Sequence, residues 1–202
     1  MDKQLVLASK SPRRQALLEQ LGLNIEVRAS HVEETGIGTP SEIALTNAQL
    51  KCAAVAEASC SDELVIAADT IVVHQGTVLE KPATLDEARS MLTRLSGDTH
   101  EVLTALVLFN ASTHTSYEAV EITEVTFREL TQQEIERFVS IVKPLDRAGA
   151  YTVDGPGSLL VERYDGCYYN VLGLPLVRLN QLLSDAGFNL FAAIDPLKTQ
   201  FL

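Results

Sequence analysis

Leu64-Val65-Ile66-Ala67-Ala68-Asp69-Thr70-Ile71-Val72-Val73 decides how this chain folds. Asp69 apart, the run holds only apolar residues and threonine, rich in the β-branched types that fit a pleated, buried surface. A Gln75-Gly76 turn follows, and Val78-Leu79 returns, so a central hairpin is expected. An unpaired carboxylate inside such a strand would cost several kcal/mol, so something must compensate Asp69. It is either a metal ligand or general base at the mouth of a site, or a structural acid satisfied by backbone donors at a sheet kink; the functional reading is favoured.

Outward from this run, Leu5-Val6-Leu7-Ala8 reads as a short buried strand. Ser11-Pro12 then opens a helix, with Ser11 as cap and Pro12 at the first helical position. Leu17, Leu18 and Leu21 share one face of that helix, which stops at Gly22, and a second strand is expected near Ile25 to Arg28. Thr39 with Glu42, Thr84 with Glu87, and Thr131 with Glu134 each read as a capping box at a helix start. His100 to Phe109 and Glu118 to Phe127 are two β-rich stretches around a polar turn, which predicts antiparallel pairing. The last third holds a Gly-rich segment from Gly149 to Gly157, an expected strand at Leu159-Leu160-Val161 and a helix after Pro175. Hairpins mixed with helix-linked strands imply an α/β fold with a mixed sheet. There is no internal repeat and no low-complexity linker.

Composition narrows the partners. The chain has 202 residues, and its net charge of -11 opposes any broad grip on nucleic acid or on an anionic membrane. Its N-terminal apolar stretch is too short for a signal peptide, no run approaches a membrane span, and three cysteines without metal-like spacing suit a reducing compartment. A soluble, cytoplasmic protein is expected. The four histidines show no zinc-hydrolase spacing.

Several segments carry groups suited to phosphate. Ser9-Lys10-Ser11-Pro12-Arg13-Arg14 sets hydroxyls, two guanidiniums and a helix N-terminus directly after a strand, although a capped helix with two solvated arginines explains it equally well. Lys51, late in an alanine-rich helix, and Lys81, after the hairpin, are each able to point a cation at Asp69; most single lysines are only solvated charges. Glu33 and Glu34, in a loop, suit a hard cation such as magnesium, though loop glutamates are more often plain surface groups. Asp146 to Tyr151 with Asp154-Gly155-Pro156-Gly157 suits the lining of a base pocket, and tight turns alone would also explain its glycines.

Taken in order, Ser9-x-Ser11-Pro12-Arg13-Arg14-x-x-Leu17, Glu33-Glu34, Lys51, Ala68-Asp69-Thr70, Lys81-Pro82, Leu95-Ser96-Gly97, Ala148-Gly149-Ala150-Tyr151 and Gly166 to Pro175 resemble the Maf family of nucleotide pyrophosphatases. The resemblance implies an elongated mixed β-sheet flanked by helices, in two lobes with a central cleft, similar to inosine triphosphate pyrophosphatases. It implies one domain over residues 1–187 and a C-terminal extension over 188–202. It further implies Asp69 as catalytic base, Glu34 and Asp69 at a magnesium or manganese ion, and Ser9, Arg13, Arg14, Lys51 and Lys81 at the substrate phosphates. Water would attack the α-phosphorus of a nucleoside triphosphate and release pyrophosphate. Arg13 and Thr70 match the branch acting on dTTP and UTP rather than the one acting on 7-methyl-GTP. Asp154 stands where that branch usually has glutamine, and an ionised carboxylate only accepts hydrogen bonds, so selectivity is expected to broaden or change. A homodimer is implied by resemblance only. Two rivals stand beside this reading: a non-enzymatic nucleotide-binding regulator of septum formation, and a haloacid-dehalogenase-type phosphatase, which would need a second aspartate that the Asp69-Thr70-Ile71-Val72 stretch lacks.

Overall fold

A computed structural model describes residues 3–200. Seven strands form one sheet: β1 (Gln4–Leu7), β2 (Ile25–Val27), β3 (Glu63–His74), β4 (Thr77–Leu79), β5 (Thr99–Asn110), β6 (Thr115–Phe127) and β7 (Val161–Asp165). Their order is β2-β1-β3-β5-β6-β7, with β4 attached to β3. The sheet is mixed, as its sequence predicts: β1 runs parallel to β2 and β3, whereas β3 with β4 and β6 with β7 are antiparallel. Among the described residues seven α-helices accompany it: α1 (Pro12–Gln20), α2 (Pro40–Ala56), α3 (Leu85–Leu95), α4 (Gln132–Val142), α5 (Tyr168–Val171), α6 (Leu176–Asp185) and α7 (Leu190–Ala193). Among the described residues no helix is long and apolar enough to cross a membrane.

The chain forms two compact units, whose boundaries fall within β3, β5 and β6 and between Leu172 and Gly173. The first comprises Met1–Asp69, Thr104–Glu121 and Gly173–Leu202. Its core gathers Leu5, Val6 and Leu7 of β1, Leu64 to Ala68 of β3, Ala105 to Leu108 of β5, and the buried faces of α1, α2 and α6. Burying aliphatic side chains on this scale is the main favourable contribution to folding, at about 1.5–3 kcal/mol per large residue. β3 is apolar almost continuously because β1 packs alongside it in parallel and helices cover the faces.

Gly22 ends α1 with φ +76°, and a Cβ there would stand 2.4 Å from the Asp195 carbonyl. Only glycine lets the C-terminal segment come that close. The tail accordingly docks on this unit, the Asp195 amide donating to the Gly22 carbonyl and the Gln200 amide to the Gln20 carbonyl. Phe201 and Leu202 of the expected extension lie outside the described residues.

The second unit comprises Thr70–Leu103 and Ile122–Leu172. α3 and α4 close over Val72, Leu79, Val102, Val125 and Phe127. Thr39 and Thr131 form complete capping boxes with Glu42 and Glu134. Thr84 forms half of one: its hydroxyl accepts from the Glu87 amide, but the Glu87 carboxylate takes the Ala83 amide instead. The expected strand at Leu159 begins two residues later. Pro156 starts a 3-10 turn over Gly155–Leu159, which the Leu160 amide closes on the Gly157 carbonyl, so pairing with β6 begins only at Val161.

Buried at the heart of this unit is His100. Its Nε2 is 2.7 Å from the Tyr151 hydroxyl, and its ring meets Phe127 and Tyr151 edge to face. Burial, helped by the nearby His74, lowers its pKa from the ordinary 6.5 to about 4. The unfolded chain therefore takes up the proton first as pH falls. Stability from this group is complete above pH 6.5 and is lost as pH drops towards 4, by at most about 3 kcal/mol. Chemical denaturation at a series of pH values checks this: His100→Gln should cost stability at neutral pH, yet the parent's advantage should shrink across that window. A constant difference between the two proteins from pH 7 to 4 would contradict it.

Candidate active site

The junction of β1 and α1 in the first unit is built around Ser9. Ser11 caps α1, its hydroxyl accepting from the Arg14 amide, and Pro12 fills the first helical position, where its missing N–H costs nothing. Ser9 Oγ accepts from the Ser11 amide at 3.1 Å and from Arg14 Nη1 at 3.3 Å. Arg14 Nε donates to the Gly173 carbonyl at 2.8 Å. The guanidinium is thus fixed at two points, beside a helix N-terminus whose amides favour anions. Burial lowers the Arg14 pKa from its usual value; the charges of Asp69 and Glu34 oppose this and that of Arg13 adds to it. Asp69, Arg13 and Glu34 therefore each lie within electrostatic reach of Arg14.

Asp69, 6% exposed, sits where β3 leaves this unit. Its Oδ1 accepts from Lys51 Nζ at 2.5 Å, and the same ammonium donates to Glu34 Oε1 at 2.6 Å. Compensation for the buried acid thus comes from a side chain brought in by α2, whose capping box at Thr39 fixes where that helix begins. Asn47, one turn before Lys51, is also buried, and its Nδ2 lies 3.5 Å from Asp69 Oδ2. Asn47 is not among the residues that the sequence singles out. Its four-residue spacing from Lys51 was the available signal, since it puts both on one helix face. Gly173, whose carbonyl holds Arg14, lies in the Gly166 to Pro175 stretch of the resemblance, which assigns it no role.

Two carboxylates converge on one ammonium. Glu34 is about half exposed and Asp69 is buried, so one acid faces solvent while the other anchors the base of the cluster. That donor set fits magnesium or manganese, which take one or two carboxylates and fill the rest of their shell with water and phosphate oxygens. Glu33 is exposed, and nothing in its surroundings adds it to the set.

The remaining candidates belong to the second unit. Thr70 follows Asp69 along β3. Lys81 is exposed, and the peptide before it is held where the Gly149 amide donates to the Glu80 carbonyl at 3.2 Å. Gly149 has φ +68°, and a Cβ there would press on Val72 and the Tyr151 ring. Asp154 is exposed at the entry to the 3-10 turn; its carboxylate accepts from the Thr152 hydroxyl, while the Tyr168 hydroxyl donates to the neighbouring Val153 carbonyl at 3.4 Å.

The chain is thus a mixed-sheet α/β protein with a buried acid, a lysine shared between two carboxylates and a cationic strand-to-helix turn. The sequence model of the family described as Maf-like protein matches residues 4–186, and the chain belongs to that family. A dTTP/UTP pyrophosphatase of Bacillus cereus is 47% identical over 180 residues, covering 88% of this chain and 92% of the relative. One from Pelotomaculum thermopropionicum is 44% identical over 189 residues, covering 93% and 98%. Among solved structures, the HAM1 protein from Coxiella burnetii is similar with a TM-score of 0.43 and 18% identity, over 62% of this chain and 73% of that one. The Ham1 protein of Staphylococcus aureus is similar at 0.44 and 17%, over 62% and 72%.

Proposed function

We propose that this chain is a nucleoside triphosphate pyrophosphatase, converting a pyrimidine triphosphate such as dTTP or UTP to the monophosphate and pyrophosphate. The observation that carries the reading is the Lys51 ammonium, within hydrogen-bond distance of both Asp69 and Glu34. The names of the curated relatives support the substrate class. Asp69 takes the proton from the attacking water and so acts as general base. Oxygen bonds to the α-phosphorus, the bond from that phosphorus to the bridging oxygen breaks, and its electron pair leaves with pyrophosphate. Ser9, Arg13 and Arg14 bind phosphate oxygens; Lys51 orients the two carboxylates and offers charge to the phosphates, as does Lys81. A magnesium or manganese ion held by Glu34 and Asp69 would polarise the phosphate oxygens and offset the charge on the departing group. The reading extends to a cytoplasmic homodimer, for which sedimentation of the purified chain should give the dimer mass.

The test is a product analysis across a panel of triphosphates with magnesium or manganese. UMP plus pyrophosphate from UTP is the expected result; UDP plus orthophosphate, or no turnover of any triphosphate, would overturn the reading. Arg13, Thr70 and Asp154 set base preference within it. An acceptor-only side chain can take the ring N–H of uracil, but it takes the amino group of cytosine equally well, whereas an amide can also donate to the uracil carbonyl. Asp154→Gln is therefore expected to raise the ratio of UTP to CTP turnover by about tenfold, the value of about one hydrogen bond. An unchanged ratio would remove Asp154 from base recognition.

A further inference from the structure

The Glu33-Glu34-Thr35 segment lies in a stretch between β2 and α2 without regular secondary structure. A glutamate carried by such a stretch would ordinarily sweep a wide volume. Here one residue of the stretch is clamped from below. Asn47 Oδ1 accepts from the Thr35 amide at 2.7 Å, and Asn47 Nδ2 donates to the Thr35 carbonyl at 3.1 Å. Both backbone groups of a single loop residue are thus taken by one buried side chain, 3% exposed, in the way a neighbouring strand would take them. Glu34 immediately precedes the clamped residue, and its carboxylate meets Lys51, one turn along α2 from Asn47. The same amide nitrogen lies 3.5 Å from Asp69 Oδ2, at the limit of a hydrogen bond, whereas Lys51 holds the other oxygen at 2.5 Å, so Asp69 keeps its principal partner without Asn47.

We propose that Asn47 is a positioning residue for a divalent cation, pinning the Thr35 backbone so that Glu34 is held beside Asp69 before any cation arrives. This rests on the reading of Glu34 and Asp69 as cation-holding groups. Asn47 touches neither substrate nor cation; it spares the site the entropy of ordering the loop when the cation binds. Its loss therefore weakens cation affinity and leaves chemistry at saturating cation nearly intact.

The experiment uses the full chain without nucleotide and manganese alone as probe, with affinity read by titration calorimetry. Asn47→Ala should weaken manganese binding by about tenfold, the usual scale for a lost supporting contact, while kcat at saturating manganese stays within about threefold of the parent. In a Glu34→Gln background the same substitution should change affinity less than about twofold, because the group it positions is no longer a ligand. Thr35→Pro provides a second route: it deletes the clamped N–H from the loop side, opens no hole under α2, and should weaken manganese severalfold. Unchanged manganese affinity in both folded variants overturns the proposal, as does an equal loss with and without Glu34. If Glu34→Gln itself leaves manganese binding untouched, the cation assignment fails and takes this proposal with it; if binding needs Glu34 but ignores Asn47, only the proposal fails.

Discussion

Asp69→Asn is expected to lower pyrophosphate release by about a thousandfold or more, while the protein stays folded. Asparagine has nearly the shape of aspartate, so the core around β3 keeps its packing. The Lys51 ammonium retains Glu34 as a partner and is not stranded. What disappears, on the proposed mechanism, is the negative charge and the basic oxygen that receives a proton from water, and among the described residues no other carboxylate stands at the buried end of the cluster. Asp69→Glu should fall between parent and asparagine variant, since one added methylene displaces the base by more than a near-attack geometry tolerates. Steady-state release from UTP at saturating manganese, with thermal unfolding as a folding control, measures both. Parent-like turnover in folded Asp69→Asn protein would remove Asp69 from the chemistry.

Much of this architecture was legible because its signals are local. Leu64 to Val73 announced β3 through composition alone, and the strand extends that run by a single residue at each end, Glu63 and His74. Thr39 and Thr131 announced helix starts because a capping box is written within four consecutive residues. Asp69 announced itself by incongruity, a charge with no local means of compensation. The element that compensates it was only half visible. Lys51 lies eighteen residues away, and nothing in the primary structure says which lysine turns inward.

The missed features depend on contacts that a linear pattern does not record. β7, Val-Glu-Arg-Tyr-Asp, overlaps the expected strand only at Val161; it is largely exposed, no apolar run marks it beyond that residue, and its bounds are set by pairing with β6. Thr84 carries the same motif as the other two caps, but an amide one position earlier competes for the Glu87 carboxylate. Asn47 looks like one more helix residue until the loop above it is in place, because an amide side chain gains a role only from the backbone it meets. Arg14 is fixed by a carbonyl 159 residues away.

Removing Lys51 tests the same cluster from the side of stability. Lys51→Met keeps the aliphatic stem along α2 but takes away the ammonium, leaving Asp69, 8% exposed in its side chain, without its charged partner. Breaking a buried pair from one side costs about 3–5 kcal/mol, mostly the penalty of the uncompensated charge, and Lys51→Met should lose about that much in denaturant unfolding. Glu34 adds little to the loss, because at half exposure its carboxylate returns to water. The double variant Lys51→Met with Asp69→Asn removes both charges and should recover most of the lost stability, whereas activity stays absent. Recovery of folding without recovery of turnover is the outcome the proposed function expects: on that reading the acid destabilises the strand on its own, the lysine offsets it, and the pair serves the phosphate chemistry. Additive losses in the double variant would mean that Lys51 and Asp69 act independently, and that the 2.5 Å contact between them carries no coupling energy.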